Sequence, residues 1–308
     1  MRAAAPDVSI LVPAKDEAEN LPELVRQVRE AMVGQPYAAE LVVVDDGSTD
    51  GSAEVLKQLA AQHGFLTVVT HRSRRGIADA LRSGADAARG QVLVFWPADL
   101  QYLPADIPAL VAPILAGEAD IVTGTKQGHY EKRFVSWVYN ALCRLLFGVR
   151  VTDLNSVKAY RREVMESVPT RPDWHRFMVV IAAVQGYRVT SRPVPVHPRR
   201  AGKSKFGISR IPVGVLDLLS VWFQLRFGRK PMLFFGVSGA ALVLLGVLVG
   251  IYALIERYVF GIGFRPWLYL VILLVLAGLV LFGFGFVGEL VAGMREELRT
   301  LGRGRGDA

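Results

Sequence analysis

Apolar and polar residues are arranged along the chain in two alternating kinds of block. Short runs rich in β-branched residues at 8–12, 41–44, 66–70 and 92–95 are each followed by a longer stretch, at 17–32, 52–63, 77–88 and 104–115, in which apolar side chains recur every three or four positions. The first spacing predicts strands and the second predicts amphipathic helices. Strands alternating with helices of this length predict an α/β domain whose sheet is mostly parallel and covered on both faces. In such sheets ligands bind beyond the carboxyl ends of the strands, so the residues that follow each strand are the first place to look for chemistry.

The last third of the chain changes character. Residues 231–255 are 25 consecutive positions without a formal charge and residues 266–288 are another 23, each long enough to cross a hydrocarbon layer of about 30 Å. Only 256–265 separate them, so a transmembrane hairpin with a short turn is expected. Arg226, Arg229 and Lys230 precede it and Arg295, Arg299, Arg303 and Arg305 follow it, against Arg257 and Arg265 in the turn. By the positive-inside rule both ends face the cytoplasm. Residues 1–9 have no long apolar stretch and no small-residue cleavage site, so the N-terminal region is expected to stay there too, on the inner face of the cell membrane.

Two stretches, 134–147 and 211–227, gather aromatic and aliphatic residues with Arg at intervals and read as helices lying in the headgroup plane, the first equally as a core helix. The expected organisation is a catalytic domain at 1–206, an interfacial amphipathic helix at 207–230, the hairpin at 231–291 and a basic tail at 292–308. The Gly/Arg-rich residues 302–306 of that tail are expected to be flexible.

Composition fits this picture. The 308 residues are 52% hydrophobic with a mean hydropathy of +0.32, high for a soluble protein. A single cysteine, Cys143, excludes an intrachain disulfide. Thirty-six basic residues against 28 acidic ones give a net charge of +8, which calls for an anionic partner: nucleic acid, a phosphorylated substrate or anionic lipid.

The strand exits carry the polar residues. Pro13-Ala14-Lys15-Asp16-Glu17 follows the first strand and Asp45-Asp46-Gly47-Ser48-Thr49-Asp50-Gly51-Ser52 follows the second. Paired carboxylates there can accept hydrogen bonds from a base or ribose, although Ser48 to Ser52 reads equally as a helix N-cap. After the fourth strand, Asp99 and Gln101 stand two positions apart, where oxygen ligands could face one hard cation; a lone loop Asp is also a common cap. The five histidines are scattered, and none pairs at metal-binding spacing.

In this order, Val8 to Glu17, Val42 to Ser52 and Ala98-Asp99-Leu100-Gln101 resemble the family 2 inverting glycosyltransferases of GT-A fold, with its Rossmann-like sheet. Within them the likeness is to polyprenyl-phosphate sugar transferases of the dolichol-phosphate mannosyltransferase and bactoprenol glucosyltransferase kind. Thr152-Asp153-Leu154-Asn155-Ser156 is similar to their Asp-x-x-Ser segment, and Arg199-Arg200-Ala201-Gly202-Lys203-Ser204-Lys205-Phe206 to their Arg-x-x-Gly-x-Ser-Lys-aromatic segment. One position departs: the family's Asp-x-Asp-x-Gln has Pro97 here in place of its first Asp.

The resemblance implies inverting transfer of a sugar, glucose or mannose by default, from a UDP- or GDP-sugar to a polyprenyl monophosphate. Pro13, Ala14, Glu17, Asp45, Asp46, Asp99 and Lys203 would bind the nucleotide sugar. Asp99, Arg200 and Lys205 would stabilise the departing diphosphate. Lys126, Arg133, Arg150 and Ser156 would receive the acceptor phosphate. Asp99 and Gln101 would hold Mg²⁺ or Mn²⁺, weakened by Pro97. A phosphate acceptor is already an anion at neutral pH and attacks without a strong general base, so no catalytic His is required. The bilayer is an expected partner, nucleic acid is not, and the resemblance implies a homo-oligomer, a tetramer. Two other readings stand beside this one: a family 2 enzyme with another lipid or a polysaccharide acceptor, and an inactive membrane protein that binds nucleotide sugar.

Overall fold

The computed structural model describes residues 5–128, 141–149, 156–168, 176–198, 211–262 and 265–304, without the side chains at 211–212 and 299–304. The chain divides into two compact units, Met1–Leu218 and Leu219–Ala308. The division falls within a helix.

The first unit begins with strands β1 (Val8–Ala14), β2 (Ala39–Asp45), β3 (Leu66–Thr70) and β4 (Val92–Phe95), separated by helices α1 (Leu21–Met32), α2 (Ser52–Gln62) and α3 (Ile77–Ala87). A 3₁₀ turn (Pro104–Asp106) and α4 (Ile107–Leu115) follow. Then come β5 (Ile121–Gln127), a helical stretch at 141–147 (α5), β6 (Lys158–Arg161), α6 (Arg162–Ser167), α7 (Met178–Val184) and β7 (Val189–Pro195). The seven strands form one sheet in the order β3-β2-β1-β4-β6-β5-β7. Six run in one direction, while β6 is antiparallel to both of its neighbours, β4 and β5.

Hydrophobic pattern accounts for this layering. Consecutive residues of β1 and β2, among them Ile10, Leu11 and Val12 and then Leu41, Val42 and Val43, are fully buried, as a central parallel strand covered on both faces requires. On α1, Leu21, Leu24, Val25 and Val28 recur at helical spacing and pack into the same core. This helix starts at Leu21, four residues later than its pattern predicts. The Asn20 and Leu21 amides both donate to the Glu17 carbonyl in a turn, and Pro22, without an N–H, suits the first helical turn.

The division between units lies in α8 (Ile211–Phe227). The one-sided amphipathic pattern expected for this helix is not what it has. Leu218 and Val221 are buried, yet Val213, Leu216 and Leu219 are exposed, so an apolar face remains on the outside.

The second unit is built on α9 (Pro231–Val259) and α10 (Arg265–Gly304). Both are long and apolar enough to cross a membrane, with mean hydropathies of 2.5 and 3.0, and their outward leucines, valines and phenylalanines are widely exposed. The two helices pack through small residues: a Cβ on Gly239 would lie 2.5 Å from the Gly278 carbonyl oxygen, and one on Gly278 would lie 2.6 Å from that of Gly239. At one end Glu289 accepts a hydrogen bond from the Met232 amide, 3.3 Å away, satisfying an N-terminal donor of α9. At the other end Tyr252 meets Trp267 edge to face. α10 continues to Gly304, so residues 302–304 are helical rather than the flexible start of a tail.

Candidate active site

The carboxyl ends of β1, β2 and β4 lie side by side. Ala14 is registered against Asp45 as the last β1–β2 pair, the Asp46 amide donates to the Ala14 carbonyl at 2.9 Å, and the Trp96 amide donates to the Leu11 carbonyl at 3.0 Å. Pro13 and Asp45, at the ends of β1 and β2, and the loops carrying Glu17, Asp46, Asp99 and Gln101 therefore lie at one rim of the sheet.

The first two loops are locked together. The Asp16 amide donates to Ser48 Oγ at 2.9 Å, the Glu17 amide to Ser52 Oγ at 3.0 Å and the Ala18 amide to Asp50 Oδ2 at 3.0 Å. In return the Thr49 amide donates to Asp16 Oδ1 at 2.8 Å, which holds the Asp16 carboxyl below the ordinary range. Lys15 Nζ donates to the Gly47 carbonyl. Ser48 to Ser52 thus brace the rim: Asp50 also accepts the Ser52 amide and hydroxyl in a turn before α2, whose N-cap is Gly51 and not the Asp or Ser that the capping alternative called for.

The paired carboxylates of β2 differ in their surroundings. Asp45 accepts the Ser48 amide on Oδ1 at 3.0 Å, and no donor is recorded on its other oxygen among the described residues. Asp46 faces inward, to a third loop. Its Oδ1 lies 2.9 Å from His71 Nδ1 and accepts the Arg75 amide at 2.7 Å, while Oδ2 accepts the Gly76 amide at 2.8 Å. Burial alone would push this carboxyl up, but the His71 and backbone hydrogen bonds outweigh it and hold it below the ordinary aspartate range. Asp46 is 5% exposed, so its first task is to fix the 71–76 loop, not to meet a ligand in the open.

At the β4 exit the fully buried Trp96 anchors the loop. Leu100 takes a left-handed φ of +55°, and the Gln101 amide folds back onto Asp99 Oδ1 at 3.3 Å. Gln101 is tied to the β7 exit as well: the His197 amide donates to its carbonyl at 2.8 Å. Nearby, burial raises the Asp106 carboxyl above its ordinary range, partly offset by His197.

Asp99 and Gln101 offer one carboxylate and one amide oxygen, hard donors suited to Mg²⁺ or Mn²⁺. Among the described residues no group of three or more His, Cys, Asp and Glu could hold a metal by itself. The pair fits an ion that completes its coordination with substrate phosphates and water, as Mg²⁺ commonly does.

On the other half of the sheet, Lys126 stands at the carboxyl end of β5, opposite Val194 of β7. Ser156 does not present its hydroxyl to a phosphate. The residue is 1% exposed, its Oγ has no hydrogen-bond partner among the described residues, and it points at Gly124, where a Cβ would lie 2.8 Å from it. The expected direct contact from Ser156 is thus replaced by packing against β5. Arg133, Arg150, Arg200, Lys203, Lys205, the 134–140 part of the first interfacial stretch and residues 152–155 lie outside the described residues.

Two polar groups at this rim have no counterpart in the sequence reading. His71, which reads as one of several scattered histidines, is 6% exposed and joins Asp46 to Ser83 Oγ, 2.9 Å from its Nε2. Lys158 is 2% exposed, donates to the Ser156 carbonyl at 2.9 Å and sits 5.7 Å from the Phe95 ring centroid. A lysine in the short β6 segment Lys-Ala-Tyr-Arg reads as a surface charge; the mixed sheet buries it between β4 and β5.

Residues 9–171, more than half of the chain, match the domain described as Glycosyl transferase family 2. The chain belongs to that family. Relatives match it almost from end to end. The dodecaprenyl-phosphate galacturonate synthase of Rhizobium johnstonii is 33% identical, covering 93% of this chain and 88% of its own. The undecaprenyl-phosphate 4-deoxy-4-formamido-L-arabinose transferase of Pseudomonas fluorescens is 29% identical, covering 95% and 86%. Among solved structures, glucosyl-3-phosphoglycerate synthase from Mycobacterium tuberculosis, in complex with Mn²⁺, UDP and glucosyl-3-phosphoglycerate, superimposes with a TM-score of 0.57 at 22% identity, covering 71% of this chain and 80% of that one. The shared fold is that of GT-A glycosyltransferases, and this chain is a glycosyltransferase.

Proposed function

We propose that the protein transfers one sugar from a nucleoside-diphosphate sugar to the phosphate of a polyprenyl phosphate. What carries this reading is the near full-length match, hairpin included, to relatives named for transfer to dodecaprenyl and undecaprenyl phosphate. An acceptor whose prenyl tail stays in lipid calls for a chain that ends in membrane-length helices, as this one does.

The chemistry requires little covalent help from the protein. The acceptor phosphate is anionic at neutral pH and attacks the anomeric carbon. The bond to the donor diphosphate breaks, with inversion, and the nucleoside diphosphate leaves. Catalysis then rests on orientation and on charge set where the diphosphate develops its negative charge. Asp45 would accept hydrogen bonds from the nucleoside, and Pro13, Ala14 and Glu17 would shape the floor beside it. Asp99 and Gln101 would hold Mg²⁺ or Mn²⁺, which supplies Lewis-acid charge stabilisation to the diphosphate. Arg200, Lys203 and Lys205 supply further cations, and Lys126, Arg133 and Arg150 receive the acceptor phosphate.

The excess of basic residues at both ends of the hairpin over the turn supports a cytoplasmic catalytic unit. Glucose and mannose follow from the likeness of motifs, while the relatives' names bring in galacturonate and 4-deoxy-4-formamido-L-arabinose. Membranes containing the protein, incubated with labelled UDP- and GDP-sugars of each kind, are the test. Acid-labile label in the organic phase supports the reading. Alkali-labile glycolipid, polymer, or nucleotide binding without transfer contradicts it.

A further inference from the structure

The β3 exit, residues 71–76, forms a basic strap laid across the donor side of the rim. Its backbone is fixed at several points. The His71 amide donates to the Asp45 carbonyl at 2.9 Å, and the Arg75 and Gly76 amides donate to the Asp46 carboxylate. Gly47 lies directly beneath it: a Cβ there would come within 2.7 Å of the Ser73 carbonyl carbon. The strap is thus in contact with the Asp45–Ser52 loop, and only a residue without a side chain allows so close an approach.

Three guanidinium groups are carried on this strap. Arg72, Arg74 and Arg75 are all exposed, and none forms an ion pair with a carboxylate among the described residues. Three unpaired arginines on six residues repel one another and favour an open loop unless something holds the backbone. The holding group is His71. Its ring sits between Asp46, 2.9 Å from Nδ1, and Ser83 of α3, 2.9 Å from Nε2. It ties the strap to the second strand and to the third helix at once. With Nδ1–H donating to the carboxylate, the ring orientation is set, and the Ser83 hydroxyl serves either protonation state of Nε2.

We propose that His71 is a positioning residue for the sugar donor: by bridging Asp46 and Ser83 it fixes the Arg72–Arg75 strap so that its unpaired guanidinium groups meet the nucleoside diphosphate. The inference rests on the donor class proposed above and deepens it. Cations set on a fixed backbone also balance a rim that carries Pro97 in place of a second carboxylate, since a rim with less acid draws less of its positive charge from a metal. His71 touches no reacting atom; it acts through Asp46 and the strap.

The test is titration of UDP and of GDP, each with Mg²⁺, into the full chain in lipid nanodiscs, with thermal unfolding measured on the same samples. Loss of a charged hydrogen bond that sets the strap is expected to weaken binding of the preferred nucleotide about tenfold in His71→Ala. His71→Asn, whose amide can replace Nδ1–H towards Asp46, should bind within about twofold of the unchanged protein. Should His71→Ala fail to fold, Arg74→Gln/Arg75→Gln, which leaves the buried network intact, should weaken the same nucleotide and flatten its salt dependence at an unchanged unfolding temperature. Equal affinities across all variants, equal losses in His71→Ala and His71→Asn, or no binding of either nucleotide to the unchanged protein would each overturn the proposal. Nucleotide binding that follows these variants in a protein that glycosylates no polyprenyl phosphate would instead leave His71 in place and remove the acceptor assignment.

Discussion

Asp16 and Thr49 join the loops that leave β1 and β2: the Thr49 amide and hydroxyl both donate to Asp16 Oδ1, at 2.8 and 3.3 Å. Asp16 holds a left-handed φ of +53° to do so, a conformation that Asn and Asp tolerate better than other side-chain-bearing residues. Asp16→Ala removes the acceptor and leaves a strained backbone, and should lower unfolding stability by about 1 to 2 kcal/mol. Asp16→Asn keeps an acceptor oxygen and should lose less than half as much, both read from denaturant unfolding of the full chain.

Acid should loosen the same rim. Asp46 is held below the ordinary carboxylate range in the folded protein, so the unfolded chain binds its proton more readily. The stability from this group is complete above the ordinary aspartate range and is lost as pH falls through the depressed value, below about pH 4. Unfolding temperature measured from neutral to acid pH should therefore drop in that window. Asp46→Asn, already without the charge, should start lower and show a shallower drop; a parallel curve would exclude Asp46 as the titrating group.

Gly47→Ala tests the contact between strap and donor loop. The added methyl would meet the Ser73 carbonyl carbon at 2.7 Å and the Arg74 nitrogen at 2.9 Å, at a φ of +69°. Backbone rather than a flexible side chain must move, so nucleotide affinity should fall at least tenfold, with about 1 to 3 kcal/mol of strain. Gly51→Ala is the control: its φ is +92° but nothing lies within 4 Å, so it carries the backbone strain without the collision and should retain more affinity.

In the hairpin, Gly239→Leu and Gly278→Leu should separate α9 from α10, because each Cβ would already collide with the facing carbonyl. Gly283→Leu and Gly293→Leu, with no neighbour within 4 Å, should leave the pair intact. Disulfide trapping between cysteines placed on the two helices reads the difference: efficient trapping in the Gly239 variant would contradict the close packing.

The sequence patterns predict β1 to β4 and the helices after them to within a few residues, because each strand is a continuous β-branched run and each helix keeps its 3.6-residue period. The far half of the sheet is illegible for physical reasons. β6 is four residues long with a charge at each end, β7 contains two prolines and is mostly half-buried, and nothing in either sequence states that β6 runs antiparallel. At the site, strand-exit residues such as Asp45 and Asp99 are legible because a fold of this class places them at one rim. His71 and Lys158 are not, since their roles depend on partners in other elements: Asp46 and Ser83 for one, Phe95 and Ser156 for the other. Ser156 shows the converse. Its motif points to phosphate, whereas its place just before β6 turns the hydroxyl towards Gly124 of β5.

In the proposed reaction the sugar alone moves, from nucleotide to lipid phosphate. The most direct test is the stoichiometry of purified protein in nanodiscs with polyprenyl phosphate and the accepted nucleotide sugar, following released nucleotide and lipid product together. One nucleoside diphosphate should be released for each lipid whose mass increases by one sugar residue, with turnover abolished in Asp99→Ala. Release of nucleoside monophosphate, free sugar without lipid product, or full turnover in a folded Asp99→Ala protein would contradict the proposed reaction.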